Sequence, residues 1–187
     1  MMSIVLLWLP VLLSAVGVFV ASSFVHMVFR WHNADYRPLP NEDEVSALLR
    51  RAGAAPGQYV LPYCADMKQL QSAPMQERFA AGPNGLLILR GNGPVNMGRQ
   101  LGLWLLLTLL VSLIVAAVAS AALPLGAIRH QVFHVCALIA LAAYACGSIS
   151  DGIWKGHPWR AVVKDLVDAL IYAVVTGACF AWLWPGS

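Results

Sequence analysis

Two carboxylates, two tyrosines and a histidine fall within long apolar stretches, where ionisable groups are costly and tend to be functional. Asp165, Asp168 and Tyr172 are spaced i, i+3 and i+7, which places them on one face of a helix. His26 and Tyr144 fall at a matching depth in two other apolar stretches. An imidazole beside carboxylates can pass protons, bind a small ligand or hold a metal. The most specific hypothesis pairs His26 with Asp168.

A structural interpretation of the same residues competes with this one. Lys164 lies four residues before Asp168, so the two can pair along the helix while the ammonium reaches the interface. Asp165 falls in the first turns of its helix, where the helix dipole favours a carboxylate. Tyr and His are also common at membrane interfaces. The residue pattern favours structural pairing and leaves the functional site open.

The other titratable residues match no ligand pattern. His130 and His134 are four residues apart and share a helix face, but a metal site needs more ligands, so interfacial histidines are the better interpretation. Phosphate-loop, dinucleotide-binding, nucleophile-elbow and zinc-protease signatures are missing from the sequence. We therefore predict no catalytic residue, no metal and no cofactor. Four further residues are scattered in the polar segment and form no recognised ligand pattern: His32, Asp35, Cys64 and Met67.

The composition is typical of a membrane protein. Of the 187 residues, 59% are hydrophobic and 11% are charged, whereas average soluble domains have about 25% charged residues. The apolar stretches are hydrophobic on all sides, as lipid-facing helices require. The four cysteines show no paired spacing, which argues against a disulfide framework.

The apolar stretches predict an all-α membrane fold with four transmembrane helices. The first covers residues 1–29. Because it is too long for a signal peptide and has no preceding positive charge, we expect it to be retained. Residues 100–187 hold the other three, at about 101–123, 130–150 and 161–184. Each of these three has a face of small residues suited to close packing in lipid. The faces are Thr108, Ser112, Ala116 and Ser120; Cys136, Ala140, Ala143 and Gly147; and Ala173, Gly177 and Ala181.

Residues 30–99 form a polar segment of domain-like length, for which we predict a small α+β cap between helices 1 and 2. Asn41 precedes three acidic residues and begins a short helix that Gly53 ends. Short strands are predicted at 58–63 and 86–90. Acidic and basic residues nearly balance in this segment, which argues against nucleic-acid binding.

Basic residues are distributed unequally between the two sides of this topology. Arg129 is alone on one side, against eleven Lys and Arg residues on the other. Because cytoplasmic loops are enriched in basic residues, we expect a cytoplasmic cap, periplasmic termini and a location in a bacterial inner membrane. The eleven are Arg30, Arg37, Arg50, Arg51, Lys68, Arg78, Arg90, Arg99, Lys155, Arg160 and Lys164.

A loop with a Gly-x-Pro-Trp motif precedes the last predicted helix. With this loop and the helix behind it, the chain resembles a family of small bacterial four-helix membrane proteins of unknown function. The stretch from His26 to Val45 resembles a closer, proteobacterial group of such proteins. The resemblance covers most of the chain and implies the four-helix topology with a cytoplasmic segment, but no activity. The loop residues are Trp154, Gly156, Pro158 and Trp159.

Two functional hypotheses follow. The first is an interaction or accessory component of a membrane assembly, because small-residue faces can also pack between chains. The second is a small transporter or proton- or ion-coupled carrier that uses the intramembrane residues described above. An enzyme acting on a lipid or quinone is the least favoured. The expected partners are the lipid bilayer and either copies of this chain or other membrane subunits. Whether Asp168 faces a cavity or pairs with Lys164 discriminates between the first two.

Overall fold

The computed structural model describes residues 4–186, and its chain divides into two compact units. The first unit consists of the residues up to Tyr36, 96–152 and those from 157 onward. The second consists of 37–95 and 153–156. The predicted boundary at residue 30 therefore lies after Tyr36, because the turn that follows the first helix packs with the helical unit.

In the second unit helices and strands alternate along the chain, whereas the elements of the first unit are all helical. α1 is preceded by a 3-10 turn at Ile4–Leu7 and continues into a π-helical turn at Phe24–Phe29. Pro10 occupies the first turn of α1, where its missing N–H has no helical partner to lose. In chain order the described elements are α1 (Trp8–Ser23), α2 (Glu42–Arg51), β1 (Gly57–Leu61), α3 (Ala73–Ala81), β2 (Gly85–Leu89), α4 (Met97–Ala122), α5 (Arg129–Lys155) and α6 (Trp159–Trp182).

Within residues 4–186, three helical stretches are long and apolar enough to cross a membrane. They are Ile4–Phe29, Met97–Ala122 and Arg129–Lys155. These stretches fit an all-α, multi-pass membrane protein. α6, the fourth predicted span, has 24 residues and carries four charged side chains in its first ten.

Small polar side chains pack α1 against its neighbours. α1 contacts both α4 and α6. The Ser14 hydroxyl donates to Ser112 Oγ at 2.9 Å, and Trp104 Nε1 donates to Ser22 Oγ at 2.7 Å, so two hydrogen bonds join α1 to α4. Hydrogen bonds of this kind can hold helices together where lipid provides no hydrophobic driving force.

The small-residue faces predicted for α4 and α6 are largely confirmed. Thr108, Ser112 and Ala116 are buried, while Ser120 is only partly buried and Ala119 takes the packed position beside it. On α6, Ala173, Gly177 and Ala181 are all buried. Gly177 permits a close approach of α6 to α5, because a Cβ there would lie 2.9 Å from both the Phe133 carbonyl oxygen and the Ala137 Cβ of α5.

The face predicted for α5 is only half used. Cys136 and Ala140 are buried in the core shared with α4 and α6. Ala143 and Gly147 are exposed, and no atom lies within 4 Å of a Cβ placed on Gly147. One stretch of α5 therefore presents small residues at the surface of the helical unit.

The second unit has the α+β composition that the sequence predicts. β1 and β2 pair antiparallel, with Gly57 opposite Leu89 and Leu61 opposite Gly85. α2 ends as expected, with Gly53 at φ 67°. Its predicted start differs in detail, because Asn41 adopts a left-handed conformation and makes no side-chain cap hydrogen bond.

The Trp-rich loop before α6 is shorter than predicted. α5 continues to Lys155 instead of ending at residue 150, so Trp154 lies in its last turn. α6 begins at Trp159 with Pro158 as its N-cap residue. The loop is thus residues 156–158, where Gly156 supplies the left-handed φ of 71° that a turn between helices needs.

Candidate functional site

Two histidines lie near each other where α1 ends. The π-helical turn carries His26 and stops at Arg30, whose left-handed backbone (φ 53°) turns the chain. A 3-10 turn at Trp31–Asp35 follows and carries His32. The ring centroids of His26 and His32 are 4.8 Å apart. Single π-helical turns in proteins are frequent at functional sites.

Both histidines face Asp168 of α6. Asp168 Oδ2 lies 2.9 Å from His32 Nε2 and 3.9 Å from His26 Nε2. Asp168 is 5% exposed, and its Oδ1 is buried without a hydrogen-bond partner. A buried carboxylate without partners is costly, so partners for it are expected. The structure thus brings His26 and Asp168 together, as predicted, but His32 is the nearer histidine.

Lys164 does not pair with Asp168, and that prediction is wrong. Its Nζ lies 2.7 Å from Asp35 Oδ1 and donates to the Trp31 carbonyl at 2.7 Å. The 3-10 turn offers a carboxylate and a carbonyl together, which a neighbour four residues along the helix cannot match. The hydrogen bond from Lys164 lowers the pKa of Asp35, so this carboxylate is ionised at neutral pH.

Three carboxylates surround His32. Besides the contact with Asp168, His32 Nδ1 lies 3.3 Å from Asp35 Oδ2 and 4.0 Å from Asp165 Oδ1. Lys164 neutralises Asp35, which leaves Asp165 and Asp168 with histidines as their ion-pair partners among the described residues. Three carboxylates and one ammonium therefore meet around the two imidazoles.

Sequence reasoning missed His32 and Asp35, because it assigned them to the polar cap. A 3-10 turn has three residues per turn, so His32 and Asp35 stand side by side at i and i+3. The available signal was their position: a His and an Asp three residues apart, directly after an apolar helix whose last turns also carry a His.

A cavity of about 290 Å³ borders Asp168. The rings of Tyr144 and Tyr172 are 5.4 Å apart, and Trp104 lies 6.3 and 6.1 Å from them. Both tyrosine hydroxyls are buried without a hydrogen-bond partner in the described protein. Buried polar groups are normally satisfied by protein or by water, and the cavity leaves room beside these three oxygens for a polar partner. The five site residues predicted from sequence all line it: His26, Tyr144, Asp165, Asp168 and Tyr172.

The loop before α6 lies partly at the site and partly away from it. Pro158 and His157 line a second cavity, of about 210 Å³, together with His32 and Asp35. Trp159 instead packs against α5, where a Cβ on Gly152 would lie 3.5 Å from its ring. The loop residues predicted as a group therefore do not form a single site.

The other histidine pair is separate from this site. The rings of His130 and His134 are 4.1 Å apart in the first turns of α5, and His134 Nδ1 lies 2.8 Å from the His130 carbonyl. The site at Asp168 is contacted by neither of them among the described residues.

Comparison with known proteins identifies no family for this chain. No protein-family model matches it, and searches of curated proteins and of solved structures gave no significant match. The resemblance to small bacterial four-helix membrane proteins therefore stays an expectation from the sequence, and the function has to be inferred from the site.

Proposed function

We propose that this chain is a small cation-coupled membrane carrier, with Asp168 at the centre of its ion site. The observation that carries the proposal is the environment of Asp168. This buried carboxylate keeps one oxygen unpartnered and borders a cavity, while the nearby ammonium of Lys164 is bound to Asp35. If Lys164 had neutralised Asp168, a purely structural role would have been favoured.

The charge of the site supports a cation as the guest. Asp165 and Asp168 both line the cavity, and their contacts with His26 and His32 add no fixed positive charge. A cation entering there gains Coulomb energy that a neutral or anionic guest does not. The two tyrosine hydroxyls offer further oxygens towards the same space.

The proposed topology is four membrane spans in a bacterial inner membrane, with periplasmic termini and cytoplasmic residues 37–95. Three apolar helices and the packing of α6 against α1 and α5 support four spans. Eleven of twelve basic residues on one side support the orientation. Labelling of Cys64 by a membrane-impermeant maleimide checks it, because reaction is expected only after the membrane is permeabilised.

The test of the carrier proposal is ion flux through reconstituted protein. Full-length chain in liposomes with an internal pH or cation dye is compared with its Asp168→Asn and Asp43→Asn variants. Asp43 is an exposed acid of α2, so Asp43→Asn makes the same chemical change away from the site. We expect cation-dependent flux that Asp168→Asn loses by at least tenfold and Asp43→Asn keeps. Wild-type liposomes no more permeable than protein-free ones contradict the proposal.

A second candidate is an interaction component, and the unused face of α5 favours it. Ala143 and Gly147 are exposed small residues on a helix otherwise apolar enough for lipid. Such residues allow close helix contact between chains. The two proposals are compatible, because four helices enclose little space and a dimer supplies more wall for a transport path.

A further inference from the structure

We propose that His26, His32 and Asp168 bind one divalent transition-metal ion, with Zn²⁺ as the type case. This inference rests on the cation site of the proposed function and names the ion that occupies it. One ring nitrogen from each histidine and one oxygen of Asp168 all lie within 4.8 Å of one another. The three side chains come from the π-helical turn, the 3-10 turn and α6, so the fold assembles them from three separate elements.

The two distances from Asp168 bracket that of a metal centre, and closing the site requires the ligand atoms, which lie within 4.8 Å of one another, to move closer together. Ligand atoms at about 2.0–2.2 Å from a tetrahedral Zn²⁺ are about 3.3–3.6 Å apart. Asp168 Oδ2 lies 2.9 Å from His32 Nε2 and 3.9 Å from His26 Nε2, one somewhat shorter and one somewhat longer than this range. The His26 side chain is 51% exposed, so its ring has room to move inward.

Asp35 supplies the second layer that metal-binding histidines need. Such a histidine almost always donates its other ring N–H to a carboxylate or carbonyl, which fixes the ring and its tautomer. His32 Nδ1 lies 3.3 Å from Asp35 Oδ2, and Lys164 holds the other oxygen of that carboxylate. With a metal on Nε2, the neutral imidazole would carry its proton on Nδ1, where it faces Asp35 Oδ2.

An independent observation points to a ligand at this place. Asp168 is more than nine-tenths buried, yet its Oδ1 has no hydrogen-bond partner in the described protein. The adjoining cavity leaves a fourth position open for water or another small donor, as in zinc sites with three protein ligands. Two imidazoles with a carboxylate suit Zn²⁺, Co²⁺, Fe²⁺ or Ni²⁺, whereas Na⁺, Ca²⁺ and Mg²⁺ prefer oxygen ligands alone.

Co²⁺ absorption spectroscopy tests the inference, because tetrahedral Co²⁺ has intense visible bands and replaces Zn²⁺. The full chain is purified in detergent without a polyhistidine tag and stripped of metal with a chelator. We expect one Co²⁺ per chain that Zn²⁺ displaces, and no spectrum from His32→Ala or Asp168→Asn. Asp35→Asn is expected to weaken affinity about 10- to 100-fold, as a positioning residue behind the ligand. The control His134→Ala, which breaks the other histidine pair, keeps full binding.

Folding is checked separately, so that loss of binding is interpretable. Zn²⁺ is expected to raise the thermal unfolding temperature of the wild type and of His134→Ala, and to leave that of Asp168→Asn unchanged. Wild-type protein that gives no Co²⁺ spectrum overturns the inference. A Co²⁺ spectrum that persists in both His32→Ala and Asp168→Asn also overturns the inference.

The metal site and the carrier can fail separately. If the chain binds no Co²⁺ but gives Asp168-dependent proton flux in liposomes, the metal site is refuted and the carrier proposal stands. If the chain binds Co²⁺ at these residues but moves no cation, the carrier is refuted and the metal site stands.

Discussion

The Lys164 ammonium joins α6 to the turn that follows α1. It donates to the Trp31 carbonyl and to Asp35, each at 2.7 Å, and Arg160 one turn earlier donates to the Ala34 carbonyl at 3.2 Å. These bonds hold the 3-10 turn against α6. Since His32 belongs to that turn, its position opposite Asp168 depends on a lysine that never touches Asp168.

Replacing Lys164 by Gln is expected to lower the thermal unfolding temperature. The change leaves the Asp35 carboxylate without its ammonium. A folded protein with one uncompensated buried charge is less stable than one in which both charges have been removed. The double variant Asp35→Asn/Lys164→Gln is therefore expected to be more stable than Lys164→Gln alone. Lys68→Gln, at an exposed lysine in the second unit, serves as the control. If Lys164→Gln has the same thermal unfolding temperature as the wild type, this account of the turn is wrong.

At the scale of helices, much was predictable from the sequence. Apolar length and small-residue spacing are direct consequences of lipid exposure and close packing, and both can be read without a structure. The five cavity-lining residues were found because ionisable groups stand out in apolar helices. The contact of Lys164 with Asp35 and that of Asp168 with His32 were not, because they depend on the backbone at Arg30. Its left-handed φ of 53° is rare for a residue that is not Gly, Asn or Asp.

The contact between α5 and α6 gives a prediction at the same scale. Gly177→Ala brings a Cβ to 2.9 Å from the Phe133 carbonyl oxygen, which is backbone and cannot rotate away. We expect a loss of about 1–3 kcal/mol in the free energy of unfolding, measured by denaturant titration in mixed micelles. Gly102→Ala is the matched control, since its Cβ meets no atom within 4 Å.

The control should move stability in the opposite direction. Alanine in place of glycine in a helix interior adds about 0.5–1 kcal/mol where space allows. Equal effects of Gly177→Ala and Gly102→Ala would mean that α5 and α6 are not in close contact at Gly177.

For the whole molecule, the exposed stretch of α5 predicts where two copies meet. Cys146 is exposed beside Gly147, so it can report on a neighbouring chain. Mild oxidation in native membranes is expected to form a Cys146–Cys146 dimer. Gly147→Leu should reduce its yield severalfold by keeping the helices apart. Cys64, in the second unit, gives the background level of cross-linking. If the protein stays monomeric after oxidation, the interaction proposal loses its support.

The position of the 3-10 turn has a mechanical consequence. Asp35 lies two residues before Arg37, where the second unit begins. Any tension on that unit reaches the turn through Tyr36, and the first bonds to bear the load are those of Lys164. The bonds of Lys164 thus attach the backbone before His32, at Trp31, and the side chain after it, at Asp35, to α6. Without these bonds, a displacement passed along the backbone from residues 37–95 would reach His32.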